Sequence, residues 1–377
     1  MKSSSTYNRL PILLLFLLFV LSAQQAAPQV DSSLQKPGRD SSRSESTIEG
    51  LPILMYDTDV GFGFGAKAFF LNYLGRNESF DLTLFQSTKG ERWYRFVFSL
   101  PDFERRQGTV YPLALDLTVD YDKYIKNSFF GVGNMSHFSD KEDYTREPID
   151  ISLALSRGFT SSLVGQVGWR YKTVRNFNFS EESRLRSLPP ALNASRVSYA
   201  SIFLSLRYDT RDSYVNPSQG TVLQGEAEVV PHSGLENITF TQLSAWVQHY
   251  TELLMPKTVL ALRLGMQGLI GSDLPVQVLL PMGGGTTLRG APQDRYLDRV
   301  SAVANAELRF PIFWRFGGVA GFDFGKVWSA LKDFDLHRWA VNPVAGLRFY
   351  MNTFVVRCDV GFGKETTGLY FNFGQVF

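Results

Sequence analysis

The sequence predicts an all-β protein, a transmembrane antiparallel β-barrel of sixteen strands, with fourteen as the alternative. Three observations carry this. Apolar and polar residues alternate with period two in segment after segment between residue 51 and Phe377. These segments run about 10 residues, the length that crosses a bilayer at a tilt. No stretch of 18 or more apolar residues follows residue 50, so a helical membrane bundle is excluded.

The chain begins with a positive segment, Lys2 and Arg9, then a compact apolar run from Leu10 to Leu21 with Pro11 near its start. Small residues follow at Ala23, Ala26 and Ala27. That layout is a secretory signal peptide over residues 1–27, with cleavage near Ala23 or Ala27. An uncleaved anchor is the alternative, but the run is short against the roughly 20 residues of a span. No Cys follows the run, which disfavours a lipid anchor, and the single Cys358 precludes an intrachain disulfide. Residues 28–50 are rich in Ser, Gln, Arg, Asp and Pro without periodicity and read as a disordered linker. The barrel is expected over 51–377. Aromatics at 14% and thirty-two glycines suit interfacial girdles, strands and turns.

Within the barrel, Leu113, Leu115, Leu117 and Val119 alternate with Ala114, Asp116, Thr118 and Asp120. Ala302, Ala304, Ala306, Leu308 and Phe310 alternate with Val303, Asn305, Glu307 and Arg309, and Leu260 to Gln267 follows the same pattern. A soluble sandwich would alternate too. Segment length, charges at segment centres (Glu226, Glu228, Arg357, Asp359) and Trp and Tyr near segment ends (Tyr73, Trp93, Tyr124, Trp169, Trp328) favour a wet lumen and a membrane belt. In a barrel every ladder closes within the chain. About fifteen segments can be placed by pattern, and an even count makes Val276–Met282 the remaining candidate. Connections at 133–147, 178–197 and 271–300 are expected to be extracellular loops, and the short ones periplasmic turns.

Four motifs go further. Gly283, Gly284 and Gly285 lead through Thr286 and Thr287 to Leu288-Arg289-Gly290 inside a long loop. In Phe322-Asp323-Phe324-Gly325, alternation turns Asp323 inward. Tyr208-Asp209-Thr210-Arg211-Asp212 is followed by Asn216-Pro217-Ser218-Gln219-Gly220, a charged strand end entering a turn. The last segment, Leu369 to Phe377, presents Phe371, Phe373 and Phe377 on one face and ends on an outward Phe.

Together these resemble the BamA/TamA/FhaC superfamily of outer-membrane assembly factors and two-partner secretion transporters, also called bacterial surface antigens. Leu288-Arg289-Gly290-Ala291 looks like that family's Val-Arg-Gly-aromatic motif in the sixth extracellular loop. The resemblance implies that the loop folds into the lumen and that Arg289 pairs with Asp323. It also implies that Phe371, Phe373 and Phe377 belong to an insertion signal read by barrel-assembly machinery. The likeness spans roughly 200–377. Ala291 departs from the expected aromatic, and only a linker stands where the family usually carries periplasmic POTRA domains. The expectation is a barrel-only member in outer-membrane lipid, with a periplasmic partner protein replacing those domains.

Enzyme readings find little support. His137, His232, His249 and His337 are scattered without metal-ligand spacing. Neither a Gly-x-Ser-x-Gly elbow nor a His-Glu-x-x-His motif occurs. No Lys-Ser/Thr follows Gly283–Gly285, so that cluster is not a phosphate loop. A formal net charge of +2 gives no electrostatic reason to expect nucleic acid. No enzyme activity and no cofactor are expected. Two readings remain: assembly or translocation factor with a separate partner, and passive pore or structural barrel.

Overall fold

The computed structural model describes residues 46–377 except 58–60, 190–191, 233, 235–237 and 352–354. The expected signal peptide and nearly all of the expected linker lie outside the described residues.

Sixteen strands follow one another in chain order in one antiparallel sheet. They are β1 (Thr47–Asp57), β2 (Gly61–Leu71), β3 (Ser79–Ser87), β4 (Arg92–Leu100), β5 (Tyr111–Phe129), β6 (Glu142–Gly158), β7 (Leu163–Phe177) and β8 (Arg196–Asp209). β9 (Gly220–Val230), β10 (Phe240–Glu252) and β11 (Val259–Ile270) continue the sheet. β12 (Leu280–Met282) and β13 (Tyr296–Asp298) form a separate two-stranded sheet. The barrel resumes with β14 (Val300–Phe313), β15 (Phe316–Trp328), β16 (Ala340–Tyr350), β17 (Val355–Phe362) and β18 (Thr367–Phe373). No helix among the described residues is long and apolar enough to cross a membrane.

The alternation is realised as two faces. On β8, Ile202, Leu204 and Leu206 point outward and are more than half exposed, while Ser201, Phe203 and Ser205 are buried inside. Connections alternate between the two ends. One end carries the longer loops 130–141, 178–195, 271–299 and 329–339. The opposite, turn end carries 101–110, 159–162, 210–219, 253–258 and 314–315.

The structure corrects several expectations. The sixteenth strand is not Val276–Met282: only Leu280–Met282 is extended, and it pairs with Tyr296–Asp298 inside the loop. Val276, Leu279 and Leu280 are instead buried with Leu185, Val197, Tyr199, Phe240, Leu269 and Leu297 in an apolar cluster at the long-loop end. Burial of that side-chain group competes successfully with a barrel ladder, to which Pro275 and Pro281 could donate no hydrogen bond. β1 begins at Thr47, inside the expected linker, because Thr47–Gly50 pairs with Ala68–Leu71. β6 begins at Glu142, so the first of the three expected long connections is 130–141 rather than 133–147. Trp328 does not sit in an exposed belt but is buried against Trp339 and Phe334.

Candidate functional site

The loop between β11 and β14 descends inside the barrel and places Arg289 against the inner wall. Alternation on β14 turns Asn305, Glu307 and Arg309 inward, and register sets Asn305 opposite Asp323 on β15 and Asp323 opposite Asn342 on β16. Arg289 meets this wall completely buried. Its Nε and Nη2 donate to the two oxygens of Asp323, both at 2.8 Å, and its backbone N–H donates to Asp323 Oδ2 at 2.9 Å. Nη1 donates to Glu307 at 2.7 Å and to Asp359 of β17 at 3.1 Å. One guanidinium therefore serves three carboxylates, each itself fully buried.

The carboxylates have further partners. Arg309 donates to Glu307, and Arg348 and Arg357 both donate to Asp359. Asn305 donates to Asp323 and to Thr287 O, and Asn342 donates to Arg289 O. Charge here is thus neutralised by protein. The wet lumen expected around Arg357, Asp359 and Glu228 is replaced at these positions by a wall of buried, paired groups.

The glycine-rich approach is built into the same contact. Gly283 N–H donates to Thr287 Oγ1, Gly284 N–H donates to Ala291 O, and Gly285 O accepts from Arg357. Leu288 is buried beside Met282, Ala291, Val303 and Val327. Gly290 has φ of +94°, and a Cβ there would meet Gly363 N at 2.6 Å, so both conformation and space require glycine. Where the family motif carries an aromatic, Ala291 has only a methyl group, and its carbonyl accepts from Tyr370 Oη at 3.0 Å. Tyr370 also accepts from Gly290 N–H at 2.9 Å, so the aromatic partner comes from β18.

Arg295 was not singled out by sequence. It donates to Glu365 and to Ser136, tying loops 130–141, 271–299 and 363–366 together. Burial alone would lower the Arg295 pKa, but Glu365 outweighs it and holds the value above the ordinary one. Nothing in the local pattern around Ser136 or Glu365 signals this meeting, which depends on loops distant in sequence.

The C-terminal residues divide. Phe371 faces outward, about half exposed; the side chain of Phe373 lies outside the described residues. Phe377 corrects the expectation of an outward ring. It lies beyond β18, buried with Tyr250, Val259 and Ala261 on the inner face. Its ring sits 5.0 Å from both the Arg263 and Arg309 guanidinium carbons, and its carbonyl accepts from Arg309 at 3.1 Å. Strand alternation ceases to govern orientation once the ladder ends, and the arginine pair offers the ring a cation–π seat. Phe377→Ser is expected to lower the folded fraction by removing this seat, since truncating a buried Phe costs about 3–5 kcal/mol. Heat-modifiable gel mobility of the variant measures it, and an unchanged folded yield would refute it.

With this geometry in view, the family assignment is direct. The Omp85 superfamily domain matches residues 72–377. The chain belongs to the Omp85 superfamily. Its members are outer-membrane β-barrels. The fold resembles BamA from Haemophilus ducreyi lacking POTRA domains 1-3, at TM-score 0.60 and 15% identity over 87% of this chain and 69% of that one. It also resembles CdiB from Escherichia coli, at TM-score 0.58 and 13% identity over 87% of this chain and 60% of that one. CdiB from Acinetobacter baumannii matches at TM-score 0.53 and 15% identity, with 87% and 58% covered. This Omp85 chain therefore spans less than two-thirds of either CdiB chain. At these identities the likeness is one of fold. No protein of curated function matches the chain significantly.

Proposed function

We propose that this Omp85 barrel is a non-enzymatic factor in outer-membrane protein assembly or protein translocation, working with a separate periplasmic protein. The observation that carries the reading is the loop 271–299, held inside the barrel by the buried guanidinium of Arg289 on Asp323, Glu307 and Asp359. The passive-pore reading needs an open lumen. The Arg289 latch and the apolar cluster of Leu185, Val276 and Leu279 occupy its interior and long-loop end, which favours assembly or translocation.

A photocrosslinker at Ile48 on β1, which is exposed, tests this in cells. Adducts with unfolded barrel precursors or with translocating chains are expected. Absence of protein adducts, together with large steady conductance of the purified barrel in planar bilayers, would favour the pore instead.

A further inference from the structure

At the turn end, away from the Arg289 latch, connections 101–110, 159–162 and 210–219 surround a cavity of about 130 Å³. Its wall brings together Arg106, Arg207, Arg211, Ser162, Ser205 and Tyr214. The Tyr208–Asp212 strand end and the turn after it contribute Asp209, Arg211 and Tyr214 to this wall. Asp209 accepts from Arg207 Nη2 at 2.6 Å, and from Arg211 Nε at 3.0 Å and Nη2 at 2.8 Å. Asp212 fixes the turn by accepting from the Ser218 and Gln219 N–H groups and the Ser218 hydroxyl. Burial raises the Asp212 pKa, but these hydrogen bonds outweigh it and leave the group below its ordinary value. Gly220 closes the turn with φ of +113°, where a Cβ would lie 2.5 Å from Thr210 O.

The Tyr214 ring lies 5.6 Å from the Arg207 guanidinium carbon and 4.8 Å from that of Arg211. Arg106 enters from the opposite side, held by both oxygens of Asp116 and stacked 5.1 Å from the Phe103 ring. Asp209 is the only carboxylate lining the cavity, against three guanidinium groups, and even with Asp116 counted the positive groups are in excess. Arg207 Nε is enclosed with no hydrogen-bond partner.

We propose that this cavity is a binding site for a small oxyanion, a carboxylate or a phosphate group. The guanidinium forks are held in place by Asp209, Asp116 and the aromatic rings, so little ordering entropy is lost when an anion enters. Charge-assisted hydrogen bonds from planar guanidinium groups suit both oxyanions. Serine hydroxyls at Ser162 and Ser205 complete a polar lining, and the volume admits one such group rather than a folded domain. Ser205 faces inward and is buried, so lipid headgroups on the outer face do not reach this wall. The remaining sources are a free inorganic anion and the acidic side chain of a polypeptide arriving at the turn end. The site does not depend on the assembly reading.

The test is calorimetric titration of the full-length folded barrel in nonionic detergent at low ionic strength. The probes are inorganic phosphate and an acetylated diglutamate peptide. Saturable binding is expected, weakened about tenfold or more by Arg207→Gln, which removes a charge-assisted donor. Ser162→Phe should weaken it comparably by filling the cavity while leaving every arginine in place. Heat-modifiable gel mobility verifies folding of both variants. Tighter binding of the peptide assigns the site to an acidic chain segment, and tighter binding of phosphate to the free ion; either result supports an oxyanion site. No saturable binding of either probe to the wild-type barrel, or wild-type affinity in a folded Ser162→Phe variant, overturns it.

Discussion

Arg289→Ala is expected to destabilise the folded barrel by about 3–5 kcal/mol, the usual cost of stranding the partner of a buried charge pair. The effect should exceed that of Asp323→Ala. Losing Arg289 removes the shared donor of Asp323, Glu307 and Asp359, whereas losing Asp323 leaves Arg289 bonded to the other two acids. Arg309, Arg348 and Arg357 still neutralise Glu307 and Asp359, so Asp323 is the carboxylate left worst paired. Arg289→Lys should recover little, because an ammonium cannot send a fork to Asp323 and a further bond to Glu307 at once. The double variant Arg289→Ala, Asp323→Ala should cost clearly less than the sum of the single ones. Unfolding midpoints in detergent, read by heat-modifiable mobility, provide the cycle. Strict additivity, or an Arg289→Ala barrel as stable as the wild type, would show that the latch carries no such energy.

Gly361→Val should unseat the loop while leaving β17 intact. A Cβ at Gly361 would stand 2.3 Å from Arg289 C and 2.4 Å from Gly290 N, and backbone cannot give way as a flexible side chain can. Valine favours strands, so the strand itself gains while the loop tip loses its seat. Overpacking of this kind costs about 1–3 kcal/mol or more. A reporter follows the displacement: Leu288→Cys in a Cys358→Ser background, treated with a membrane-impermeant maleimide. Leu288 is wholly buried, so labelling should be negligible with Gly361 and extensive with valine. Gly225→Ala is the control, since nothing lies within 4 Å of a Cβ added there, and labelling should not change. Equal labelling of the Gly361→Val and control proteins would mean that the tip does not rest on β17.

The sequence alone determined the features that depend on near neighbours. A period of two fixes which face each residue of a strand takes, so Asp323, Glu307 and Arg309 could be turned inward, and Phe322 and Phe324 outward, without knowing any partner. Glycines at 283–285 and 290 announced a close-packed excursion by their freedom and lack of bulk. The family motif then joined Arg289 to Asp323, a pairing that alternation alone could not supply. Tertiary structure decided what depends on groups meeting across the barrel. Glu307 and Asp359 became partners of Arg289 only because strand registers bring β14 and β17 to the same level as β15. Val276–Met282 reads locally as a strand but is drawn into an apolar cluster assembled from several loops. Phe377 reads as lipid-facing by parity, yet past the last ladder bond its ring follows the arginine pair of β11 and β14 rather than the pleat. Alternation is a property of the backbone and is written locally; charge neutralisation and burial are satisfied by whichever groups the folded wall brings within reach.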